Sequence, residues 1–306
     1  MRLFCTGLLL AVLVGCGSKV QVDNSQTLAQ ARAAHTTVLS RKVQSNQPPD
    51  VPPSNVFELV GYNPPSGMSA AYVTPDPKDG KKHPAIIWIT GGECNTIGDV
   101  WTDQPLHEDQ SAAAFRKAGI VMMFPSLRGG NQNPGYIEGF YGEVDDVLAA
   151  ADYLAAKPYV DPARIYLGGH STGGSLVMLV AASTNRFRAV FSFGPVEDVS
   201  GYNEPSWVPV SGSKELQLRS PAAWLHSIQC PTIVIEGASG PGNASSVSAM
   251  QRASTNPLVQ FHLVPGKNHF DVLGPANQLL AQKVLADTGG DKTNINLTLD
   301  ELARLP

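Results

Sequence analysis

RIYLGGHSTGGSLVMLVAAS, residues 164–183, joins a short apolar run to a longer one through a glycine-rich turn. The first run has the length and composition of a strand buried on both faces. The second carries small and apolar residues all round, as a helix enclosed by other elements does. Between them Gly169-His170-Ser171-Thr172-Gly173 matches G-x-S-x-G. In a strand–turn–helix setting that pattern strains the serine and aims its hydroxyl out of the sheet, while the flanking glycines remove side chains that would collide. By composition alone the pattern would arise roughly 0.2 times in such a chain, so the flanking runs carry the argument. A phosphate-binding turn would want a lysine or a G-x-G-x-x-G spacing, and neither is present. Ser171 is therefore the candidate nucleophile.

Outward from this turn, short apolar runs alternate with helical patterns. FELVGY and MSAAYVTP form an opening antiparallel hairpin, and AIIWIT, IVMMFP, AVFSFG, TIVIEG and VQFHLV read with RIYLGG as strands of a parallel sheet. GEVDDVLAAADYLAAKP is the clearest helix, with Glu143, Asp145 and Asp146 set against the positive end of its dipole and Pro158 closing it. The fold class is α/β: a doubly wound, mostly parallel sheet. Ligands of such sheets bind at the carboxyl ends of the strands, so the residues after each strand deserve the closest reading.

Two backbone amides would stabilise an oxyanion there: that of Thr172, at the helix N-terminus, and that of Gly92, in the Gly91-Gly92-Glu93 loop. In the chain order Ser, acid, His, only His262 and His269 fall late enough. His262 lies inside a strand and reads as a packed residue; His269, in VPGKNHF, stands where a general base is required. His170 is too near the nucleophile's own backbone to serve and reads as a residue lining the pocket. Arg128 in SLRGG reads as a structural anchor, and Trp207 in GYNEPSWVPV as a pocket wall. The run His107-Glu108-Asp109 lacks metal-ligand spacing, so no metal and no cofactor is expected.

SLRGGNQNPG, then GEVDDVLAAADYLAAKPYVDPARIYLGGHSTGG, SPAAWLHSIQCPTIVIEG and PGKNHF together resemble the catalytic domain of the prolyl oligopeptidase-like α/β-hydrolases. The resemblance implies an α/β-hydrolase fold and a serine hydrolase acting on peptides or, in many relatives, on esters. It also exposes a departure. Such enzymes read H-G-x-x-D after the seventh strand, whereas this chain reads Glu236-Gly237-Ala238-Ser239-Gly240, with glycine at the aspartate position. Three arrangements fit. Glu236 reaches the imidazole from further back in the loop; or Glu197 or Asp198 supplies the carboxylate from the neighbouring strand; or there is no acid, and the fold serves a binding or envelope-assembly role without turnover.

The chain opens MRLFCTGLLLAVLVGCGSKV, where a short basic start and an apolar run too short to span a bilayer precede Leu13-Val14-Gly15-Cys16. This resembles the bacterial lipoprotein signal, which implies removal of residues 1–15, acylation of Cys16 and membrane anchoring. With Gly17 following in place of aspartate, it further implies the outer membrane, facing the periplasm. Residues 16–55 then read as a polar, proline-rich tether, and 56–306 as one catalytic domain without a large cap or propeller. A net charge of −4 recruits no nucleic acid. Cys94 and Cys230, read at opposite ends of the sheet, are not expected to pair. The expected partner is a short peptide or small acyl ester.

Overall fold

The computed structural model describes residues 25–202, 204–288 and 290–306; the lipoprotein-like start, with Cys16, lies outside them. Among the described residues the strands form one eight-stranded sheet, β1 (Glu58–Tyr62), β2 (Ser69–Val73), β3 (His83–Ile89), β4 (Val121–Pro125), β5 (Val160–His170), β6 (Val190–Phe193), β7 (Thr232–Gly237) and β8 (Val259–Val264). Their order is β1-β2-β4-β3-β5-β6-β7-β8. β1 and β2 pair antiparallel, β2 runs antiparallel to β4, and every later pairing is parallel. Each apolar run read as a strand is one.

The runs are continuous because both faces of the sheet are covered, so alternate residues feed separate cores. Ile87, Met123, Leu167 and Val234 enter one core, with α3 (Glu143–Ala155), α4 (Thr172–Ser183) and α6 (Ala244–Ala253) packed over it. Ile86, Trp88, Phe191 and Ile235 enter the other, under α2 (Ala113–Lys117), α7 (Leu273–Ala286) and α8 (Leu299–Ala303). This sandwich of helix, sheet and helix holds the carboxyl ends of β3, β5, β6 and β7 side by side.

Two details depart from the sequence reading. The acidic first turn of α3 does more than complement a dipole, since Glu143 and Asp146 are fully buried. Asp146 holds Arg128 through both oxygens, at 2.8 and 3.0 Å, while Arg128 also reaches Glu138 at 2.8 Å. That fork-to-fork pair suits arginine's planar geometry and ties the loop after β4 to α3. The anchor read at Arg128 is thus a buried one.

The second departure is the supposed tether. From residue 25 onward it lies against the hydrolase body. Thr27 caps α1 (Leu28–Ala33) in a reciprocal capping box with Gln30, and Leu28 and Ala31 are buried in the core beside α4. Beyond α1 the chain bonds to loops of the body: Ser40 N–H to the Pro209 carbonyl at 2.8 Å, Ser45 N–H to Gly129 at 2.6 Å, and Ile137 N–H to Val43 at 2.9 Å. Glu215, in α5 (Ser213–Arg219), accepts from the Val38 N–H at 2.8 Å and from Thr37 Oγ1 at 2.9 Å, and meets His35 Nε2 at 2.9 Å. Arg219, fully buried, joins Glu215 to the Thr37 hydroxyl and to the Glu138 carbonyl. Backbone groups inside a polar segment find partners this way only if the segment is docked.

Burial alone would raise the Glu215 carboxyl, but hydrogen bonds from His35, Val38 and Thr37, with the Arg219 charge, bring it down to about 2 from 4.5. A depressed carboxylate stabilises the fold above its unfolded pKa, and that contribution is lost as pH falls through the folded value. The docked arm is therefore expected to loosen between pH 4.5 and about 2. Glu215→Gln should be less stable at neutral pH and lose less on acidification, as followed by thermal melting across pH; identical pH slopes would refute the assignment. Leu28→Ala should cost about 2–3 kcal/mol by denaturant unfolding.

Candidate active site

β5 ends between β3 and β6, and the chain must turn at once into α4. It does so at Ser171, whose backbone lies at φ 56°, ψ −112°. A non-glycine residue there costs about 1–3 kcal/mol, held by the surroundings. Those surroundings are visible: the Ser171 N–H donates to the Phe193 carbonyl at 2.7 Å, and the Ser175 N–H to the Ser171 carbonyl at 2.9 Å. A Cβ on Gly169 would strike the Gly173 carbonyl, one on Gly173 the carbonyls of Ile89 and Thr90, and one on Gly174 that of Phe193. The glycines of the motif are thus places where backbone meets backbone.

Thr172 opens α4, so its N–H is one of the helix's unpaired first-turn donors. Its hydroxyl donates to the Gly92 carbonyl at 2.8 Å and pins the loop after β3 beside the turn at Ser171. Gly92 sits at φ +75°, where glycine is favoured, and a Cβ on Gly91 would come within 3.3 Å of Ser171 Cβ. The two candidate oxyanion residues are therefore bonded to one another next to Ser171.

Glu236 closes β7 and is fully buried, while His269 follows β8 and is 8% exposed. Nδ1 of His269 stands 3.0 and 3.1 Å from the two carboxylate oxygens of Glu236. Because a carboxylate only accepts, Nδ1 carries the hydrogen and Nε2 is left free to accept a proton. The Asn243 N–H donates to Glu236 Oε1 at 2.9 Å, so the buried charge has a second partner. Asn243 Nδ2 in turn holds the Gly194 carbonyl at 2.7 Å. Of the other two acid candidates, Asp198 instead caps a short turn, accepting from the Ser200 N–H at 2.8 Å, and Glu197 lies on the same segment, its carbonyl accepting from the Ala222 N–H at 3.0 Å. Glu236 is the carboxylate brought to His269.

His170 is buried, and its Nε2 donates to the His269 carbonyl at 3.1 Å, with the two rings 4.4 Å apart. Burial, with the neighbouring His269, lowers its pKa to about 3 and keeps it neutral. It therefore braces the histidine loop instead of lining an open pocket. His262 is buried in β8 with neither ring nitrogen hydrogen-bonded, and burial lowers its pKa, as suits a packed residue. His107 and Glu108 are exposed, and no group of three or more metal-ligating side chains occurs among the described residues. Cys94 and Cys230 are buried and free.

Sequence reasoning passed over Tyr202, although it stands in the segment named for Trp207. Its hydroxyl lies 2.8 Å from Ser175 Oγ, one helical turn beyond Ser171. Phe140 and Trp207 flank its ring at 5.9 and 6.2 Å, an aromatic cluster. A cleft of about 1050 Å³ is lined by Gly91, whose Cα lies near Ser171, and by Phe270, which follows His269 and is 46% exposed. A hydroxyl on a strained turn, an imidazole with a free Nε2 and an orienting carboxylate are the parts that nucleophilic acyl transfer requires.

The family model described as the Prolyl oligopeptidase family matches residues 107–285, more than half of the chain. Among curated relatives, a dipeptidyl-peptidase 5 of Porphyromonas gingivalis is 25% identical over 234 residues, covering 67% of this chain and 33% of that protein. An uncharacterized peptidase of Bacillus subtilis is 28% identical over 175 residues, 51% of this chain and 25% of the relative. The chain thus spans between a quarter and a third of the length of these two relatives. Among solved structures, a puromycin-hydrolyzing peptidase of Mycobacterium tuberculosis superposes with a TM-score of 0.60 at 19% identity, over 78% of this chain and 40% of that one. At that identity the likeness speaks for the fold.

Gly194, at φ +56°, touches the pair most closely: a Cβ there would overlap His269 Cε1 and lie 2.6 Å from Glu236 Oε2. Gly194→Ala is expected to leave the sheet folded by circular dichroism while displacing the imidazole, so that reaction with a serine-directed phosphonate drops by at least tenfold. Unchanged reactivity would mean that the pair does not need this clearance.

Proposed function

Because this chain belongs to the prolyl oligopeptidase family, we propose that it is a serine hydrolase that cleaves peptide or ester acyl bonds through an acyl-enzyme. The observation that carries the reading is the buried Glu236–His269 pair, 3.0 Å apart, beside a serine in the strained nucleophile conformation. Ser171 Oγ attacks the carbonyl carbon as its proton passes to His269 Nε2. The carbonyl π pair moves onto oxygen, where the Thr172 and Gly92 N–H groups donate to it. His269 then returns the proton to the departing amine or alcohol, and water repeats the sequence on the acyl-enzyme. Glu236 keeps the imidazole in the reactive tautomer and stabilises its charged form.

Two features support short substrates. The relatives named as peptidases share this region, and a cleft of about 1050 Å³ lies against Gly91 and Phe270, neighbours of Ser171 and His269. Trp207 and Tyr202 suit an apolar acyl or side-chain group. We also propose that Cys16 is lipidated and holds the protein at the periplasmic face of the outer membrane, a reading that rests on the Leu13-Val14-Gly15-Cys16 pattern. Cys16→Ala should move the protein from the membrane to the soluble fraction; retention in the membrane would refute the anchor.

The reaction itself is tested with a fluorophosphonate probe on the purified chain. Wild type should label and Ser171→Ala should not. Glu236→Gln should fall by roughly 10³–10⁴-fold in rate, the scale on which related triads suffer when the orienting acid is lost. Equal labelling of wild type and Glu236→Gln would move the acid elsewhere, and no labelling of folded wild type would leave a binding role as the reading to pursue.

A further inference from the structure

Thr172 holds the loop after β3 at Gly92, and a second, buried side chain holds it three residues further on. Asn95 is 3% exposed. Its Nδ2 donates to the Arg128 carbonyl at 2.8 Å and to Glu143 Oε1 at 3.0 Å, so both amide hydrogens are used. A carbonyl only accepts, and Glu143 Oε1 already takes the Glu138 N–H at 2.7 Å, so it is the NH2 end of the amide that faces this pair. The Asn95 backbone is engaged as well. Its N–H donates to Glu93 Oε1 at 2.9 Å, and its carbonyl accepts from the Leu127 N–H at 2.8 Å and from the Ser126 hydroxyl at 2.9 Å. A Cβ on Gly130 would collide with that carbonyl, so the loops after β3 and β4 meet there backbone to backbone. Arg128, on the second loop, is itself locked to Asp146.

We propose that Asn95 is a positioning residue for the oxyanion: it anchors the Gly91-Gly92-Glu93 loop so that the Gly92 N–H stays aimed at the carbonyl oxygen that Ser171 attacks. The need for an anchor follows from the sequence. Two adjacent glycines allow the backbone close to Ser171, where a Cβ on Gly91 would come within 3.3 Å of the serine Cβ, but glycine is also the residue least able to hold a conformation by itself. A donor stabilises developing charge only if it is already in place when the charge appears. The Thr172 hydroxyl on the Gly92 carbonyl fixes one point of the loop and Asn95 fixes the next, with only Glu93 and Cys94 between them. The burial of Glu143 has a use in this arrangement, since its carboxyl is one of the two acceptors that orient the Asn95 amide. Asn95 itself acts through the loop and not on the substrate. The inference rests on the proposed reaction, with Ser171 as nucleophile and Gly92 as an oxyanion donor.

The test compares wild type with Asn95→Leu, which keeps the volume and loses both donors, on a small chromogenic ester and on the thionoester that differs only in C=S for C=O. Sulfur accepts N–H hydrogen bonds weakly, so the ratio of kcat/KM for the two esters reads the oxyanion donors. Asn95→Leu should lower kcat for the oxygen ester by about 10–100-fold with KM within about twofold, less than the loss of a whole donor, and should shrink the ratio by about tenfold. Glu236→Gln acts through the imidazole and should slow both esters alike. Asn95→Ser, small enough to admit water to the Arg128 carbonyl and Glu143, should shrink the ratio in the same way, and it decides the matter if Asn95→Leu does not fold. Wild-type kinetics, a rise in KM alone, or a slower enzyme with the wild-type ratio would each overturn the proposal, the last reducing Asn95 to a residue that only supports the fold. A wild type inert toward the fluorophosphonate and both esters would overturn the proposed reaction itself, which is a different result from an active enzyme with an unshifted ratio.

Discussion

The close approach of backbone to backbone at the carboxyl ends of β3, β5 and β6 is the constraint on which the site depends. α4 starts within contact distance of the Ile89, Thr90 and Phe193 carbonyls, which is possible only because Gly173 and Gly174 have no side chains. Wedged there, the helix presents its first N–H groups to the crevice, and the residue before it has no relaxed conformation available. The strain at Ser171 is thus imposed by packing on both sides of it. The same device recurs across the crevice, where Gly194, Gly237 and Gly242 leave space for Glu236, His269 and the loop that carries the histidine.

Much of this was legible in the sequence, for reasons that can be named. A parallel sheet covered on both faces needs unbroken apolar runs, and those runs are conspicuous in AIIWIT or TIVIEG. The G-x-S-x-G pattern records a steric requirement directly, so it locates the turn without any knowledge of the partners. Chain order singled out His269, but which carboxylate meets it could not be read, because the choice between Glu236, Glu197 and Asp198 depends on where the backbone runs. The docked arm was hidden for a different reason. Its partners are backbone carbonyls, Glu215 and Arg219, and such contacts leave no periodic trace in composition. Tyr202 escaped notice because its contact is with the hydroxyl of Ser175, one helical turn beyond Ser171.

Charge is distributed sparingly around the imidazole. Glu236 is satisfied by His269 and by a backbone N–H, so its burial does not leave an unpaired ion. The second ring against His269 belongs to His170, which burial keeps neutral, so no like charge opposes protonation of the His269 imidazole. A histidine in that place offers a flat, polar brace without adding a cation.

The docked arm also fixes where Thr27 and Leu28 sit on the body. The Leu28 N–H donates to Ser227 Oγ, which itself donates to the Ala182 carbonyl at the far end of α4 from Ser171. α4 has 12 residues, so this contact lies roughly 18 Å from the crevice, at the far end of the helix. From Cys16 to Thr27 is 27 − 16 = 11 residues, against 55 − 16 = 39 for a free tether ending at Asn55. Eleven residues reach at most about 40 Å when fully extended. On the proposal that Cys16 is lipidated, the body would stay within that distance of the bilayer, a far shorter leash than 39 free residues would allow.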